Sequence, residues 1–160
     1  MRFTANFACA LILSACLRAA DASAATPVVP AGSSFQCTPR AVWDGDGPIW
    51  CAEGARVRVA GVAAREMDGT CRRNQPCPAI GAIEARNRLV ALLGGPKGKL
   101  ATGHILVRSP TMSCLSDGSA GGNRTAAWCV SPAIGDLSCA IVRAGGAVRW
   151  PRYWKEHHCR

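Results

Sequence analysis

Residues 41–62 read Ala41-Val42-Trp43-Asp44-Gly45-Asp46-Gly47-Pro48-Ile49-Trp50-Cys51-Ala52-Glu53-Gly54-Ala55-Arg56-Val57-Arg58-Val59-Ala60-Gly61-Val62. Three short extended stretches are separated here by two turn signals, Asp44-Gly45-Asp46-Gly47 and Ala52-Glu53-Gly54-Ala55. From Arg56 the residues alternate with period two. Val57 and Val59 therefore share one face of a strand, and Arg56 and Arg58 the other. The stretch predicts a three-stranded meander with an apolar inner face and a basic outer one.

The pattern continues toward the C-terminus. A polar, cysteine-containing loop spans residues 68–78. Pro78 to Leu93 has the marks of a helix: proline at its start, Ile80, Ile83, Val90 and Leu93 near one stripe, a Glu84–Arg88 pair, and Gly94-Gly95 after it. Residues 99–107, 111–115 and 124–130 are strand candidates, with a glycine-rich turn over 117–123. Asp136 is placed to cap a second helix whose stripe is Leu137, Ala140, Ile141 and Ala144, and Gly145-Gly146 ends it. The order of strands, helix, strands, helix predicts a mainly β domain with helices. A small OB-fold-type β-barrel suits it, whereas a β-sandwich needs no such helices.

At the N-terminus, Arg2 and the apolar stretch from Phe7 to Leu17 precede Ala22-Ser23-Ala24, a small-x-small cleavage pattern. Residues 1–24 read as a signal peptide, 25–34 as a flexible lead-in and 35–160 as one domain. Leu13-Ser14-Ala15-Cys16 offers a competing reading, a lipid anchor at Cys16. Both readings export the chain, either as a secreted or periplasmic protein or to a membrane surface. No run of about 18 apolar residues is present to span a bilayer, and the domain is expected to be a monomer.

Ten cysteines are present, and two of them, Cys9 and Cys16, lie in the leader. Cys37, Cys51, Cys71, Cys77, Cys114, Cys129, Cys139 and Cys159 remain. An even set in an exported domain reads as a disulfide framework with about 105 possible connectivities. Cys71–Cys77 and Cys129–Cys139 are candidates for local pairs. Zinc is the rival, but no Cys-x-x-Cys spacing occurs. His157-His158-Cys159 is a possible but weak chelating tail.

The formal net charge is +9. Arg2, Arg18 and Asp21 leave with the leader, so most of that charge stays on the domain. Such a surface favours polyanions, nucleic acid among them, although basic exported proteins without such partners are common. The Asp44-Gly45-Asp46 turn offers hard oxygen ligands suited to Ca²⁺, and Asp-Gly is equally an ordinary turn pair. Arg58 and Glu66 together fit a phosphate clamp beside a general base, or a surface ion pair. Trp150-Pro151-Arg152-Tyr153-Trp154-Lys155 offers base stacking, or Trp150 and Tyr153 closing the base of the barrel with Arg152 and Lys155 in water.

The order of these pieces resembles the staphylococcal-nuclease-like (thermonuclease) family. The segments that carry the resemblance are Asp44-Gly45-Asp46, then Arg58-Val59-Ala60-Gly61-Val62-Ala63-Ala64-Arg65-Glu66, then Asn123-Arg124-Thr125-Ala126, and finally Gly135 to Gly145. The resemblance covers about residues 40–153 and implies an OB-fold barrel with helices. It also implies a Ca²⁺-dependent phosphodiesterase cutting DNA or RNA. Asp46 would be a metal ligand, Glu66 would act as or position the base, and Arg58 and Arg124 would hold the phosphate and stabilise growing charge.

The departures from the family pattern point the other way. Ala63 stands at the second metal-ligating Asp position. Ala64 replaces a small polar residue, although its carbonyl is still available. Arg65 replaces a Pro, Gly47 replaces a Thr, and the Tyr before the second Arg is missing. One lost carboxylate leaves Ca²⁺ binding weak or absent, unless Asp68 folds back to compensate. Two functions therefore stand side by side: a secreted nuclease, and a catalytically impaired OB-fold binding or structural module of the cell envelope.

Overall fold

The computed structural model describes residues 28–159. The leader, with Cys16 and the Ala22-Ser23-Ala24 site, lies outside the described residues. The chain runs through β1 (Ser34–Cys37), β2 (Pro39–Val42), β3 (Ile49–Cys51), β4 (Arg56–Val59), β5 (Val62–Ala63), α1 (Ala82–Leu92), β6 (Gly98–Lys99) and β7 (Ile105–Leu106). It continues through β8 (Met112–Ser119), β9 (Thr125–Ser131), β10 (Gly135–Asp136), α2 (Leu137–Arg143), β11 (Val148–Arg149) and α3 (Pro151–Trp154). The fold is mainly β with three helices among the described residues. None of them is long and apolar enough to cross a membrane.

The main sheet follows the path β1-β8-β9-β4-β3-β2-β7-β6, with β10 on β9. The expected meander is its centre: Ile49 faces Val57 across β3–β4, and Val42 faces Ile49 across β2–β3. β4 runs parallel to β9, with Arg58 opposite Ala126, so the sheet is mixed. Its path ends at β1 and β6, which do not pair with each other, and the sheet is open along that path. Thr38 alone separates β1 from β2, and the Glu53 carboxylate holds that joint by accepting from Thr38 N at 2.8 Å and Thr38 Oγ1 at 2.6 Å.

The alternation in β4 is realised: Val57 and Val59 are buried, while Arg56 and Arg58 stand on the outer face. The valines join Val42, Ile49, Leu89, Leu93, Met112, Leu137 and Ile141 in one core. Each such buried aliphatic side chain contributes about 1.5–3 kcal/mol relative to exposure.

Several boundaries differ from the sequence reading. The first helix begins at Ala82 with Gly81 as its N-cap, four residues later than Pro78. Its buried stripe is Ala82, Ala85, Leu89 and Val90, and Ile83 is 60% exposed. Ile83 lies in the first turn of the helix, outside that buried stripe. Residues 99–107 form a hairpin of two short strands rather than one strand, because Gly103 N closes a turn on Leu100 O at 2.9 Å. The glycine-rich turn starts at Ala120 rather than Asp117. β8 absorbs residues 117–119 through a register shift beside Gly118, whose φ of +94° suits a bulge.

Four disulfides form, as an exported domain in an oxidising extracellular or periplasmic compartment permits. They join Cys37–Cys51, Cys71–Cys77, Cys114–Cys129 and Cys139–Cys159. The Cys71–Cys77 expectation holds, and the Cys129–Cys139 pairing does not. Cys129 lies directly opposite Cys114 in the β8–β9 ladder. Cys139, on α2, instead ties down the C-terminal tail.

Candidate anion site around Asp46 and three arginines

The site begins at the Asp44–Gly47 turn, between β2 and β3. α1 packs closely on it. A Cβ on Gly45 would sit 2.7 Å from the Ala85 Cβ and 2.8 Å from the Ala64 Cβ, so only glycine admits the helix here. Gly47 has φ of +114°, and a Cβ there would meet Val57 O at 2.5 Å. The Thr of the family pattern therefore has no room at 47.

The turn points both its acids inward. Asp44 Oδ1 accepts from Asp46 N at 3.1 Å. Asp46 Oδ1 pairs with Arg58 Nη1 at 2.5 Å, and Asp46 Oδ2 accepts from Ala64 N at 2.8 Å. Burial, reinforced by the neighbouring Asp46 charge, pushes the Asp44 carboxyl up to about 8. At neutral pH it is mostly protonated, and Asp46 carries the charge that balances Arg58.

Glu66 stands at the edge of the same region but is not free. Arg72 grips it with Nε on Oε1 at 2.6 Å and Nη2 on Oε2 at 3.3 Å. This contact raises the Arg72 pKa above its ordinary value. Arg124 has no carboxylate partner among the described residues; it donates to Gly121 O and Ala120 O, each at 3.0 Å. Burial, then the Arg72 and Arg58 charges, push its pKa down.

All four residues singled out from the sequence thus come together. Asp46 and Arg58 form a buried pair, and Glu66 and Arg124 line one cleft of about 390 Å³ with Asp44, Arg72, Trp50 and His104. Arg58 and Arg72 line a second cleft of about 230 Å³ with Gln75, Trp150 and Tyr153. Arg72 belongs to both. Arg56 also lines the first cleft and Asp117 the second, so four guanidiniums stand against Asp46, Glu66, Asp117 and the mostly protonated Asp44, and the positive side chains are in excess, which suits an anion.

Trp150 and Tyr153 line the second cleft, and Tyr153 is 41% exposed. Trp150 is only half-buried, while Trp154, at 6% exposure, is the aromatic side chain of this segment that joins the core. Its placement follows from α3, which begins at Pro151 and turns the fourth residue inward. Arg152 and Lys155 face water as expected.

The Ca²⁺ ligand set implied by the family resemblance does not fit these residues. Ala63 is fully buried and offers no carboxylate. The Ala64 carbonyl accepts from Gln75 Nε2 at 2.6 Å. Asp68 does not fold back: it is exposed and accepts from Thr70 Oγ1 and Thr70 N at 2.7 and 2.9 Å, which hold its carboxyl below the ordinary value. At the C-terminus, Asp136, Cys139 and His157 lie close enough to share an ion. The Cys139 sulfur is bound to Cys159, however, and is no thiolate ligand. His157 Nε2 lies 2.9 Å from Asp136 Oδ2, and its ring stacks on Trp128.

Arg72 and Gln75 escaped the sequence reading. They lie in an aperiodic loop whose only signal is the cysteine pair around it, and nothing in that pair says where the loop docks. No protein-family model matches the chain, and neither a curated protein nor a solved structure does.

Proposed function

We propose that this is an exported nuclease-like domain that binds DNA or RNA by a phosphodiester group held on Arg58, Arg72 and Arg124. One observation carries the reading: Arg58, Arg72 and Arg124, with Arg56 beside them, converge on the two clefts and outnumber the acids Asp46, Glu66 and Asp117, Asp44 being mostly protonated. A phosphate relieves the repulsion among the arginines and accepts the forked hydrogen bonds that guanidinium offers. The strand order supports an OB-type architecture. β2-β3-β4-β9-β8 are adjacent, β4 is parallel to β9, and β1 lies one residue from β2. If β1 and β2 act as one bent strand, they close the barrel.

The test is binding of short single-stranded DNA and RNA as a function of salt. Affinity should fall steeply as salt rises, because the protein displaces counterions from the polyanion. Arg124→Ala should weaken binding about tenfold, the order expected for a partly buried charge-assisted contact. Salt-independent affinity would overturn the reading.

Hydrolysis is the second reading, favoured by Glu66 lining the same cleft as Arg124. There Glu66 would accept a proton from an attacking water while Arg58 and Arg124 stabilise charge growing on the phosphate. Arg72 occupies both of its oxygens, so an attacking water must compete for them and turnover is slow. Cleavage of single-stranded DNA that disappears in Glu66→Gln, with the fold intact, is the expected signature. Absence of cleavage with any divalent metal leaves the binding module.

A further inference from the structure

We propose that the loop closed by Cys71–Cys77 fills the place of a divalent cation, so that the site holds its phosphodiester without metal. The phosphodiester part rests on the function proposed above; the exclusion of metal stands on the loop itself.

Arg65 and the disulfide-closed loop that it anchors form one device. Arg65, where a proline would stand, anchors both ends of the loop: its Nε donates to Pro78 O and its Nη1 to Gly69 O, each at 2.9 Å. The disulfide closes the six-residue separation between Cys71 and Cys77. Within it, Gln75 N donates to Arg72 O at 3.0 Å and folds the loop into a turn. The loop then delivers two side chains to oxygen atoms that a cation would need. Gln75 is buried and seats Nε2 on Ala64 O at 2.6 Å, while its Oε1 is buried without a hydrogen-bond partner among the described residues. Arg72 seats its fork on both oxygens of Glu66.

Ca²⁺ requires about 6–8 oxygen ligands. Here the carbonyl faces an amide donor, Glu66 faces a guanidinium, and Asp46 is paired with Arg58. Arg72 supplies a permanent positive charge in the same place. It uses Nε and Nη2 on Glu66 and lines both clefts, so further N–H donors remain for an anion.

Two readouts on the oxidised mature protein test this. In the first, melting is followed with Ca²⁺ alone, with and without chelator. The wild type should not respond to about 1 mM Ca²⁺, a concentration at which extracellular sites fill. The folded Arg72→Ala/Gln75→Ala variant should gain a saturable rise in melting temperature. Cys71→Ser/Cys77→Ser, which frees the loop without touching either side chain, should gain the same rise. In the second, wild-type affinity for labelled single-stranded oligothymidylate should agree within about twofold between Ca²⁺ and chelator, well short of one 1.4 kcal/mol decade. A saturable Ca²⁺ response in wild type, or affinity about tenfold weaker in chelator, overturns the proposal. So does a folded loop variant that stays indifferent to Ca²⁺. If oligothymidylate binds under neither condition, the phosphodiester reading fails, and the melting arm still decides whether the loop excludes metal.

Discussion

Two disulfide-closed regions of this molecule do different work with the same bond. Cys37–Cys51 and Cys114–Cys129 staple neighbouring parts of the main sheet, and all four sulfurs are buried in the core. Cys71–Cys77 lies outside every strand and helix, with Cys77 exposed. The first two reinforce contacts that the hydrogen-bond ladders already specify. The third has no ladder to reinforce, and it orders a loop whose Arg72 and Gln75 complete the candidate site. Position in the fold, rather than the bond, decides whether a staple serves stability or chemistry.

The comparison breaks first, and hardest, if the sheet staple is cut. Cys37→Ser/Cys51→Ser should cost about 3 kcal/mol or more, from loop closure and lost core packing. A melting temperature lower by about 10 °C should report it. Cys71→Ser/Cys77→Ser opens a shorter loop, whose closure is worth about 2 kcal/mol in the same entropy account. Because the loop can open locally, the fall in melting temperature should be under half as large. Oligonucleotide affinity should nevertheless drop about tenfold, since Arg72 is no longer held in place. Equal melting losses with unchanged binding would erase the distinction.

A finer test concerns acids in the two regions. Asp44, in the site, titrates at about 8 when folded against 3.8 when unfolded. Its contribution to stability is complete below 3.8 and is lost as pH rises through about 8. Asn keeps the acceptor for Asp46 N and cannot ionise. Asp44→Asn should therefore raise the melting temperature by about 4 °C at pH 8, about 1 kcal/mol, and leave it unchanged near pH 4. Glu53 belongs to the sheet and behaves oppositely. Burial opposes its charge, but the hydrogen bonds from Thr38 outweigh burial and hold the carboxyl below 4.5. Its contribution is present above 4.5 and lost as pH falls through the lower folded value. Glu53→Gln should change the melting temperature by only about 1 °C at neutral pH, because the contact is exposed and screened. The difference from wild type should shrink on acidification.

Half of the site was legible in the sequence because its residues sit on regular local patterns. Asp46 lies in a Gly-rich turn, Arg58 alternates with valines on β4, and Arg124 directly precedes β9. The structure brings them together through the parallel β4–β9 pairing, which sets Arg58 opposite Ala126. Arg72 and Gln75 follow no period. Their role depends on where an irregular loop lands, a matter of burial and hydrogen bonds to residues up to 11 positions away.

The meander, its inner valines and outer arginines and the Asp136 cap of α2 follow from sequence alone, and Cys71–Cys77 is the one of two candidate local pairs that forms. Asp136 Oδ1 accepts from Cys139 N at 2.8 Å, as its place before the helix implies. These features arise from side-chain periodicity, turn chemistry and short loops, which act over a few residues. Tertiary structure alone chose Cys114 for Cys129, sent Trp154 into the core and buried Asp44 beside Asp46. Those outcomes depend on which distant surfaces exclude water from one another, and no local pattern encodes that. The fate of Glu66 belongs with them: the sequence supplied a carboxylate beside arginines, and packing of the disulfide loop decided that Arg72 would hold it.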